Sequence, residues 1–456
     1  MNLKNLTQSN LGIEDAITPI DGRNRYKIKE LTPYVTETAL NKYRVLIELE
    51  YILRLSQNKI IPAFSKKEIS KINSVIANFK ESDHKRIKDI ESKTRHDVKA
   101  VEYYLREQFQ SLGLEKYNCF LHIGLTSEDI NNLAYGLILK DVNANILIPQ
   151  LELFLRTLKN LIKETAGISV LGRTHGQPAV TTTIGKELAN YYKRLEKQLS
   201  KLKKFVFEGK LNGAVGNFNA MSFAYPKTDW IRFSKNLIQG LDLEANIFTT
   251  QILACDNWLD YFHILTMING IILDMSINMW NYIMLEIFRQ KNLNTVGSST
   301  MPQKINPIDF ERAEGHTQLA NAHFHFYQQK LISSRLQRDL SDSTVKRTFG
   351  SAIGYTLLAW KDVQKGLDKV YVNTEHIANE LSGHWEILGE ALQTYLRSKG
   401  DKNAYETVKT AMQGKIINKP MWQEILSELK LEKEKKLVEL TPEKYIGLAV
   451  KLAKMI

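Results

Sequence analysis

The sequence predicts an almost all-α protein, and three observations support that prediction. Proline is absent from long tracts, such as those between Pro62 and Pro149 and between Pro307 and Pro420. Apolar residues recur there at three- and four-residue spacing, which is typical of helices. Strand alternation appears only in short patches such as residues 168–171. Because a proline inside a helix costs about 3 kcal/mol, proline-free tracts of this length favour long helices.

The clearest predicted helices are, in chain order, residues 40–55, 138–165, 180–207 and 256–288. Pro149 must kink or delimit the second of these. The most apolar stretch, residues 267–288, is interrupted by polar residues that include Asn269 and Asp274. It therefore fits a helix buried in a protein bundle better than a membrane span. Since such a helix has to be surrounded, we expect subunits to pool helices in a shared core.

The chain is too long, at 456 residues, for one ordinary domain. We place boundaries near residues 118 and 368, which gives an N-terminal helical domain (1–118), a central long-helix bundle (119–367) and a C-terminal helical domain (368–456). The 43% hydrophobic and 25% charged composition is typical of a soluble globular protein. Two cysteines, Cys119 and Cys255, form no disulfide framework, and the first residues lack the apolar core of a secretory signal. We therefore expect a cytoplasmic protein.

The net charge of +12 at pH 7 indicates an anionic partner. Nucleic acid, an anionic membrane surface and a small anionic substrate would each explain it. Lysine and arginine are spread along the chain, and neither zinc-finger spacing nor an RNA-binding aromatic signature is present. A polyanionic metabolite is at least as consistent with the sequence as nucleic acid.

The most informative segment is the polar loop 297–307, which is followed by Glu311. It opens with Gly297 and places Ser298, a second hydroxyl, Lys304 and an amide between two helical stretches. Loops held by rigid elements often carry catalytic groups. A hydroxyl behind a glycine, with a lysine nearby, favours deprotonation chemistry on an anion. The alternative is a hydrophilic connection between helices.

Four further polar clusters stand out, at residues 92–99, 122–132, 172–178 and 335–347. The run beginning at Thr126 fits a helix N-cap as well as a binding role. His175 lies in a short loop, where a lone histidine is more often structural than catalytic. Arg338 and Arg347 flank Ser343, an arrangement that suits a phosphate clamp or a solvated helix face.

Taken together, these segments resemble a known family. The loop 297–311 resembles the signature of the fumarase/aspartase superfamily, and the chain is similar to its adenylosuccinate lyase branch, of the bacterial purine-biosynthesis type. The matching segments follow one another in order: 19–23, 96–103, 126–132, 173–178, 212–217, 249–251 and 338–344. The resemblance implies an all-α, three-domain fold whose central long helices form a multi-helix core in a homotetramer.

The resemblance also implies a reaction. Enzymes of this family release fumarate by β-elimination, from adenylosuccinate to give AMP and from the succinylated carboxamide ribotide SAICAR to give AICAR. It implies no cofactor, no metal, and neither nucleic acid nor membrane as a partner. Two alternatives stay open: another C–N lyase of the superfamily acting on a different succinylated amine, and a catalytically dead helical scaffold.

Site residues follow from the same resemblance, position by position. Ser298 matches the general base and His175 the general acid, and Glu311 matches the carboxylate that orients this histidine. Lys304 and Asn306 match groups that hold the succinyl carboxylates. The remaining matches are His96 as a second active-site histidine and, as substrate-binding residues, Arg23, Asp97, Thr126, Ser127, Gln251, Met301, Arg338, Ser343 and Arg347.

The chain also departs from the pattern of this family. The departures are Asn24 where tyrosine is usual, Arg95 where asparagine is usual, Gln303 where histidine is common, Leu336 where tryptophan is usual, and Cys255 in a run that is more polar in relatives. None of them removes the matched base, acid, lysine or arginine pair. They bear on the phosphate-end contacts and on substrate preference.

Overall fold

The protein is almost entirely helical, as the sequence predicts, in a computed structural model that describes residues 16–291, 300–301 and 303–456. The first ten helices are α1 (Thr32–Val35), α2 (Glu37–Gln57), α3 (Lys66–Ala77), α4 (Glu81–Thr94), α5 (Asp97–Ser111), α6 (Ser127–Val142), α7 (Ile148–Thr165), α8 (Ile184–Lys204), α9 (Asn219–Ala224) and α10 (Trp230–Gly240). They are followed by α11 (Asp256–Met284), α12 (Ile308–Lys330), α13 (Ser341–Lys346), α14 (Phe349–Lys369), α15 (Thr374–Ser382), α16 (Gly389–Ser398), α17 (Ala404–Met412), α18 (Lys419–Glu428), α19 (Lys435–Val438) and α20 (Ala449–Ala453).

Strands form only three two-stranded pairs among the described residues. The strands are β1 (Ser169–Thr174), β2 (Gln177–Thr183), β3 (Glu208–Gly209), β4 (Glu244–Ala245), β5 (Phe288–Gln290) and β6 (Val370–Val372). The first and third pairs are antiparallel and the second is parallel. The strand expected around residues 168–171 is thus confirmed as part of β1.

The predicted long helices are confirmed, with the predicted interruption at Pro149 and with two corrections at helix ends. Residues 40–55 lie inside α2. The stretch 138–165 is divided by a π-helical segment, Asn143–Leu147, directly before Pro149, because proline cannot donate the backbone hydrogen bond that would continue α6. Val180 belongs to β2 rather than to a helix, and Phe288 belongs to β5, where it pairs with Val372.

Two compact units make up the described chain. The first contains the described residues of 16–150, 200–269 and 316–358, and the second contains those of 151–199, 270–315 and 359–456. The predicted domain boundaries near residues 118 and 368 stay a prediction.

An aromatic cluster forms the core of the first unit. Phe262 stacks on Phe324, with 5.2 Å between ring centroids, and meets Phe349 edge-on at 4.9 Å. Tyr327 contacts the same rings and donates a hydrogen bond to the carbonyl of Thr348. Aromatic pairs of this geometry stabilise a core beyond the area they bury.

Buried tryptophans mark the core of the second unit. Trp360 and Trp422 are both fully buried. The Trp422 indole donates to the carbonyl of Leu437 at 3.2 Å, which satisfies its one polar group. Phe310, at the start of α12, is also buried. The burial of Phe310 fixes the start of α12, the helix that follows the polar loop.

Helix α11 is the one helix of the described residues that is long and apolar enough to cross a membrane, and half of its most apolar window is buried in the fold. Core helices of soluble proteins pass the same test. Its remaining apolar side chains, which include Met267, Ile277, Trp280 and Met284, are exposed in the single chain.

Candidate active site

Arg338 contacts two side chains of the first unit, the predicted substrate-binding residue Gln251 and the buried Glu128. Its Nη1 donates to Oε1 of Gln251 at 3.2 Å, although the two residues are 87 positions apart in sequence. Its Nη2 lies 3.2 Å from Oε1 of Glu128, a buried carboxylate. Gln251 is itself fixed by a hydrogen bond to the carbonyl of Ala214. The Arg338 side chain is 19% exposed, so its guanidinium is ordered and still open to an anion.

Arg347 lies one residue beyond α13, the short helix that carries Ser343. Its Nη1 donates to both carboxylate oxygens of Glu37, at 2.8 and 2.7 Å, and its Nη2 lies 3.0 Å from Oδ2 of Asp97. The same Asp97 oxygen accepts from the buried Arg44 at 2.7 Å. Burial raises the pKa of Asp97, but Arg44 and Arg347 outweigh that effect and hold the pKa below its usual value. Arg347 and Asp97 thus belong to one chain of ion pairs.

His96 is the N-cap of α5. Its Nδ1 accepts a hydrogen bond from the backbone amide of Lys99 at 3.1 Å, which requires that nitrogen to be unprotonated. Its side chain is about half exposed. Capping fixes the orientation of the ring and leaves Nε2 available to a ligand. The sequence predicts an active-site histidine at this position, and the hydrogen bond from the Lys99 amide explains the orientation of its ring.

Thr126 and Ser127 begin α6, where both the capping and the binding interpretation place them. The amide of Thr126 donates to Oδ2 of Asp129 at 2.9 Å, one half of a capping box. Asp129 is fully buried, and its carboxylate also accepts from the backbone amides of Asn212 and Gly213. Asp129 therefore links the first turn of α6, which carries the hydroxyls of Thr126 and Ser127, to the backbone of residues 212–213.

A buried lysine neutralises Asp129. The Lys210 ammonium lies 3.0 Å from Oδ1 of Asp129, and neither side chain is exposed to solvent. Burial lowers the pKa of Lys210, and Asp129 opposes that shift. Asn132 holds the Lys210 backbone on both sides, accepting from its amide and donating to its carbonyl.

A second pair, formed by the buried Glu48 and the half-buried His122, supports the loop that precedes Thr126. His122 Nδ1 lies 2.5 Å from Oε1 of Glu48. Burial lowers the pKa of His122, but the Glu48 carboxylate outweighs it and the net shift is upward. Tyr51 donates to the carbonyl of Ile123 in the same loop. The contact between His122 and Glu48 holds the chain just ahead of the predicted binding hydroxyls.

His175 lies in the second unit, at the tip of the β1–β2 hairpin. Thr174 pairs with Gln177, so His175 and Gly176 are the two central residues of the turn. Their φ angles are 53° and 74°, as a type I′ turn requires, and glycine adopts this region without strain. Arg173, at the base of the turn, forms an ion pair with Glu380. The hairpin thereby presents an exposed imidazole on a fixed support.

The polar loop is described only in part. Ser298, the predicted base, lies outside the described residues. Met301 and Lys304 are exposed, and the amide of Lys304 donates to the carbonyl of Met301 at 3.1 Å. Asn306 is half-buried, two residues before α12 begins. Gln290 donates to the carbonyl of Ile305, which ties the loop's end to β5.

Glu311 lies in the first turn of α12 and is exposed. Its Oε1 accepts a hydrogen bond from the Trp280 indole at 3.2 Å. Within the described part of the second unit, no hydrogen bond joins Glu311 to His175. The predicted pairing of these two residues stays a prediction.

Arg23 and the departures from the family pattern occupy varied environments. Arg23 is exposed in the turn that precedes the first helix, and Gln303 is also exposed. Asn24 is buried and accepts from the Lys27 ammonium, and Cys255 is buried as well. Leu336 is almost fully exposed with a φ of 47°. Arg95 ends α4 with a φ of 53°.

Sequence reasoning missed the buried charges behind the site, namely Arg44, Glu48, Glu128, Lys210 and Lys346. Glu128, Lys210 and Lys346 lie in or next to a polar segment, whereas Arg44 and Glu48 lie in the apolar helix α2, and each has a partner that is distant in sequence. The signal that could have found them is a charged residue within an otherwise apolar helical face, since buried charges are almost always paired.

The comparisons with known proteins agree with this fold. Residues 45–319 match the family model described as lyase, and residues 334–446 match that described as adenylosuccinate lyase C-terminal. The crystal structure of fumarate lyase from Mesorhizobium sp. BNC1 superimposes with a TM-score of 0.76 at 17% identity, covering 94% of this chain and 97% of that chain. The all-α fold of the fumarase/aspartase superfamily, together with these matches, defines the chain as a C–N lyase.

Similarity to curated proteins narrows the class further. The adenylosuccinate lyase of Legionella pneumophila (strain Corby) is 44% identical over 447 residues, which cover 96% of this chain and 98% of the relative. That of Escherichia coli (strain K12) is 41% identical over 442 residues, covering 95% and 97%. The chain belongs to the adenylosuccinate lyase family.

Proposed function

We propose that this protein cleaves adenylosuccinate to AMP and fumarate, and SAICAR to AICAR and fumarate, in purine nucleotide biosynthesis. The observation that supports this most strongly is the Arg338 guanidinium, fixed by Gln251 and Glu128 yet partly open to solvent. An ordered arginine suits the phosphate of a nucleotide substrate. The net charge of +12 suits a substrate with two carboxylates and a phosphate.

The difficult step is removal of the proton next to a carboxylate, β to the departing nitrogen. Ser298 is proposed as the base. A serine hydroxyl is a weak base unless its alkoxide is stabilised, and Lys304 is the cation proposed to stabilise it. The product of this step is an aci-carboxylate dianion, for which Lys304 and Asn306 supply a positive charge and a hydrogen-bond donor. The exposure of Lys304 leaves it available for such a contact.

His175 is proposed as the acid that protonates the leaving nitrogen. A rigid type I′ turn holds its imidazole in the open, where substrate can reach it. Glu311 is proposed to accept from the imidazole and to favour its protonated form. Since Glu311 accepts from Trp280 within its own chain, we infer that the histidine and the carboxylate come together between subunits.

The anionic ends of the substrate are assigned to the first unit. The Thr126 and Ser127 hydroxyls are proposed to bind the succinyl carboxylates, and His96 is proposed to bind a carboxylate or the phosphate. Thr126 and Ser127 lie at a helix N-terminus, where the helix dipole favours negative charge. The phosphate and ribose are further assigned to Arg23, Asp97, Ser343 and Arg347, and Met301 is assigned to the substrate's apolar surface.

A cytoplasmic homotetramer that shares its sites between subunits completes the proposal. Apolar side chains exposed on α11 and α12, which include Met267, Ile277, Leu319 and Phe326, support such an assembly. Exposed apolar residues at this density on long helices are typical of an oligomer interface.

The test is a coupled measurement of turnover and assembly. Purified protein is mixed with adenylosuccinate, AMP and fumarate are quantified by chromatography, and mass is measured by analytical ultracentrifugation. A tetramer that releases equal amounts of both products is the expected result. If a folded tetramer releases neither product but liberates fumarate from another succinylated amine, the alternative lyase reaction is correct.

Matched variants test the assigned roles. We expect Ser298→Ala and His175→Ala each to lower kcat by about 10²- to 10⁴-fold with the tetramer intact. Their controls are Ser299→Ala, which removes the neighbouring hydroxyl, and His384→Ala, which removes a histidine paired with Glu386 outside the proposed site. Near-normal kcat in either test variant would show its assigned role to be wrong.

Mixing the two inactive variants tests whether sites are shared. If Ser298 and His175 of one site come from different subunits, hybrid tetramers contain some sites with both residues and recover part of the activity. Exchange is induced by mild denaturant and verified by mass. Hybrid tetramers without recovered activity would contradict the shared site.

A further inference from the structure

A buried cluster of charges lies behind Arg338 and is not part of the proposed chemistry. Glu128 is 1% exposed and Lys346 is 3% exposed. Glu128 Oε1 accepts from Asn131 at 2.9 Å and faces Arg338 at 3.2 Å, while its Oε2 lies 3.5 Å from the Lys346 ammonium. Lys346 in turn donates to Asp342 at 2.6 Å. One carboxylate therefore faces two cations that differ in exposure.

Opposite charges nearby keep Glu128 and Lys346 ionised. Burial raises the pKa of Glu128, but Lys346 and Arg338 outweigh it and the net shift is downward. Burial lowers the pKa of Lys346, but Glu128 and Asp342 raise it well above its usual value. An isolated charge at either position would be strongly unfavourable. The cluster is thus ionised at neutral pH and depends on each of its members.

Glu128 connects parts of the proposed site that are distant in sequence. It follows Ser127 directly in the first turn of α6. Lys346 is the last residue of α13, the helix that carries Ser343, and it is followed by Arg347. The turn that presents the binding hydroxyls therefore also holds the guanidinium of Arg338.

We propose that Glu128 is a positioning residue that holds the Arg338 guanidinium in place for the substrate's phosphate, with Lys346 as the buried counter-charge of Glu128. This inference rests on the proposed function, in which Arg338 binds the phosphate. Gln251 fixes one nitrogen of the guanidinium and Glu128 the other, so loss of Glu128 leaves the group free to rotate. A nucleotide that binds then has to restrict the rotation of the Arg338 guanidinium, which weakens its binding.

The first measurement is nucleotide binding to Glu128→Gln by titration calorimetry, with AMP as the probe. Glutamine keeps the shape and loses the charge. Replacing a charge-assisted contact with a neutral one is expected to raise the Kd of AMP by about 10- to 100-fold. Fumarate lacks a phosphate, so its inhibition constant for the reaction is expected to stay within about twofold of that of wild type.

A second variant separates positioning from stability. Glu128→Gln leaves the Lys346 ammonium with Asp342 alone and is expected to lower Tm. Glu128→Gln combined with Lys346→Met removes both charges, so Tm is expected to recover while the Kd of AMP stays raised. A purely structural role would instead restore binding together with Tm.

The matched control is Glu102→Gln in α5. Glu102 is also buried, at 2% exposure, and bridges two cations, Lys99 at 2.7 Å and Arg106 at 2.6 Å. Neither of these cations is assigned to the substrate, so the Kd of AMP is expected to be unchanged.

The inference is overturned if wild type cleaves adenylosuccinate and the Glu128→Gln/Lys346→Met variant binds AMP within twofold of wild type. If wild type fails to cleave adenylosuccinate, the proposed function is wrong, and inorganic phosphate replaces AMP as the probe. Weaker phosphate binding in Glu128→Gln then still supports ordering of Arg338, and equal binding overturns it.

Discussion

Asp129→Asn is the substitution whose effect the structure defines most sharply. Asp129 and Lys210 are fully buried and face each other at 3.0 Å. The Asp129 carboxylate also accepts from the amides of Thr126, Asn212 and Gly213. Asparagine has nearly the same size, so the change removes a charge and one acceptor oxygen without leaving a cavity.

The expected loss in the free energy of unfolding is about 3–5 kcal/mol, the usual cost of removing one partner of a buried ion pair. Part of it is electrostatic, because the Lys210 ammonium keeps as its described acceptor only the carbonyl of Gly213, at 3.1 Å. Another part arises because the side-chain NH₂ of asparagine replaces one acceptor, and a buried amide that faces it is left unsatisfied at a cost of about 1–3 kcal/mol.

The loss in the free energy of unfolding also depends on pH, and the direction of the shift in the pKa of Lys210 gives the sign of this dependence. Burial already holds the pKa of Lys210 below its usual value, and removal of Asp129 lowers it further. Between that depressed pKa and the unfolded value of about 10.4, the unfolded chain binds more protons than the native chain, so stability rises with pH. The deficit of Asp129→Asn is therefore largest near neutral pH and shrinks as pH approaches 10.

Chemical denaturation followed by circular dichroism at pH 7 and pH 9.5 measures both effects. The matched control is Asp83→Asn, which removes the corresponding capping-box aspartate of α4; Asp83 accepts from the Lys80 amide at 2.9 Å and faces no buried lysine. This control is expected to cost about 1 kcal/mol. Asp129→Asn combined with Lys210→Met is expected to be more stable than Asp129→Asn alone. A loss below 1 kcal/mol in Asp129→Asn, or a double variant no more stable, would refute the reasoning.

Two further predictions concern backbone geometry and the pair of His122 with Glu48. Gly216→Ala is expected to cost several kcal/mol, because an added Cβ would lie 2.2 Å from the carbonyl oxygen of Thr249 at a φ of 79°. Gly167→Ala, where an added Cβ meets no atom within 4 Å, should instead gain roughly 0.4–1 kcal/mol. Thermal unfolding of both variants checks this, and equal shifts would contradict it. The ion pair of His122 with Glu48 raises the pKa of His122, so it stabilises the fold fully below about pH 6.5 and loses that effect as pH rises through the folded pKa. The stability difference between wild type and His122→Gln should therefore shrink from pH 5.5 to pH 9, and a pH-independent difference would argue against a charged His122.

Helical periodicity and proline placement predicted the fold class because both are local properties of the chain. Residues 40–55 carry the apolar spacing of α2, and Pro149 marks the division between α6 and α7. The errors came at helix ends. Val180 and Phe288 are apolar residues that suit a helix as well as a strand, and only their pairing partners decide between the two.

The local geometry of the candidate site residues was predictable where they lie in short polar segments. The segment around His175 forms a type I′ turn, and the run from Thr126 caps a helix, so the residues themselves prepare the local geometry. The contact of Arg338 with Gln251 follows only from the packing of distant segments. An apolar surrounding can indicate that a charge is buried, but the sequence does not show which partner neutralises it.

By itself, the sequence determined that this chain is helical and that it belongs to a family of C–N lyases, because periodicity and short motifs depend only on residues that are close together in the chain. Only the tertiary structure decided which charges neutralise one another: Asp129 with Lys210, and Glu128 with Arg338 and Lys346. The physical reason is that the energy of a buried charge depends on the few ångströms around it. Those surroundings are assembled from segments far apart in the chain, so no local pattern can specify them.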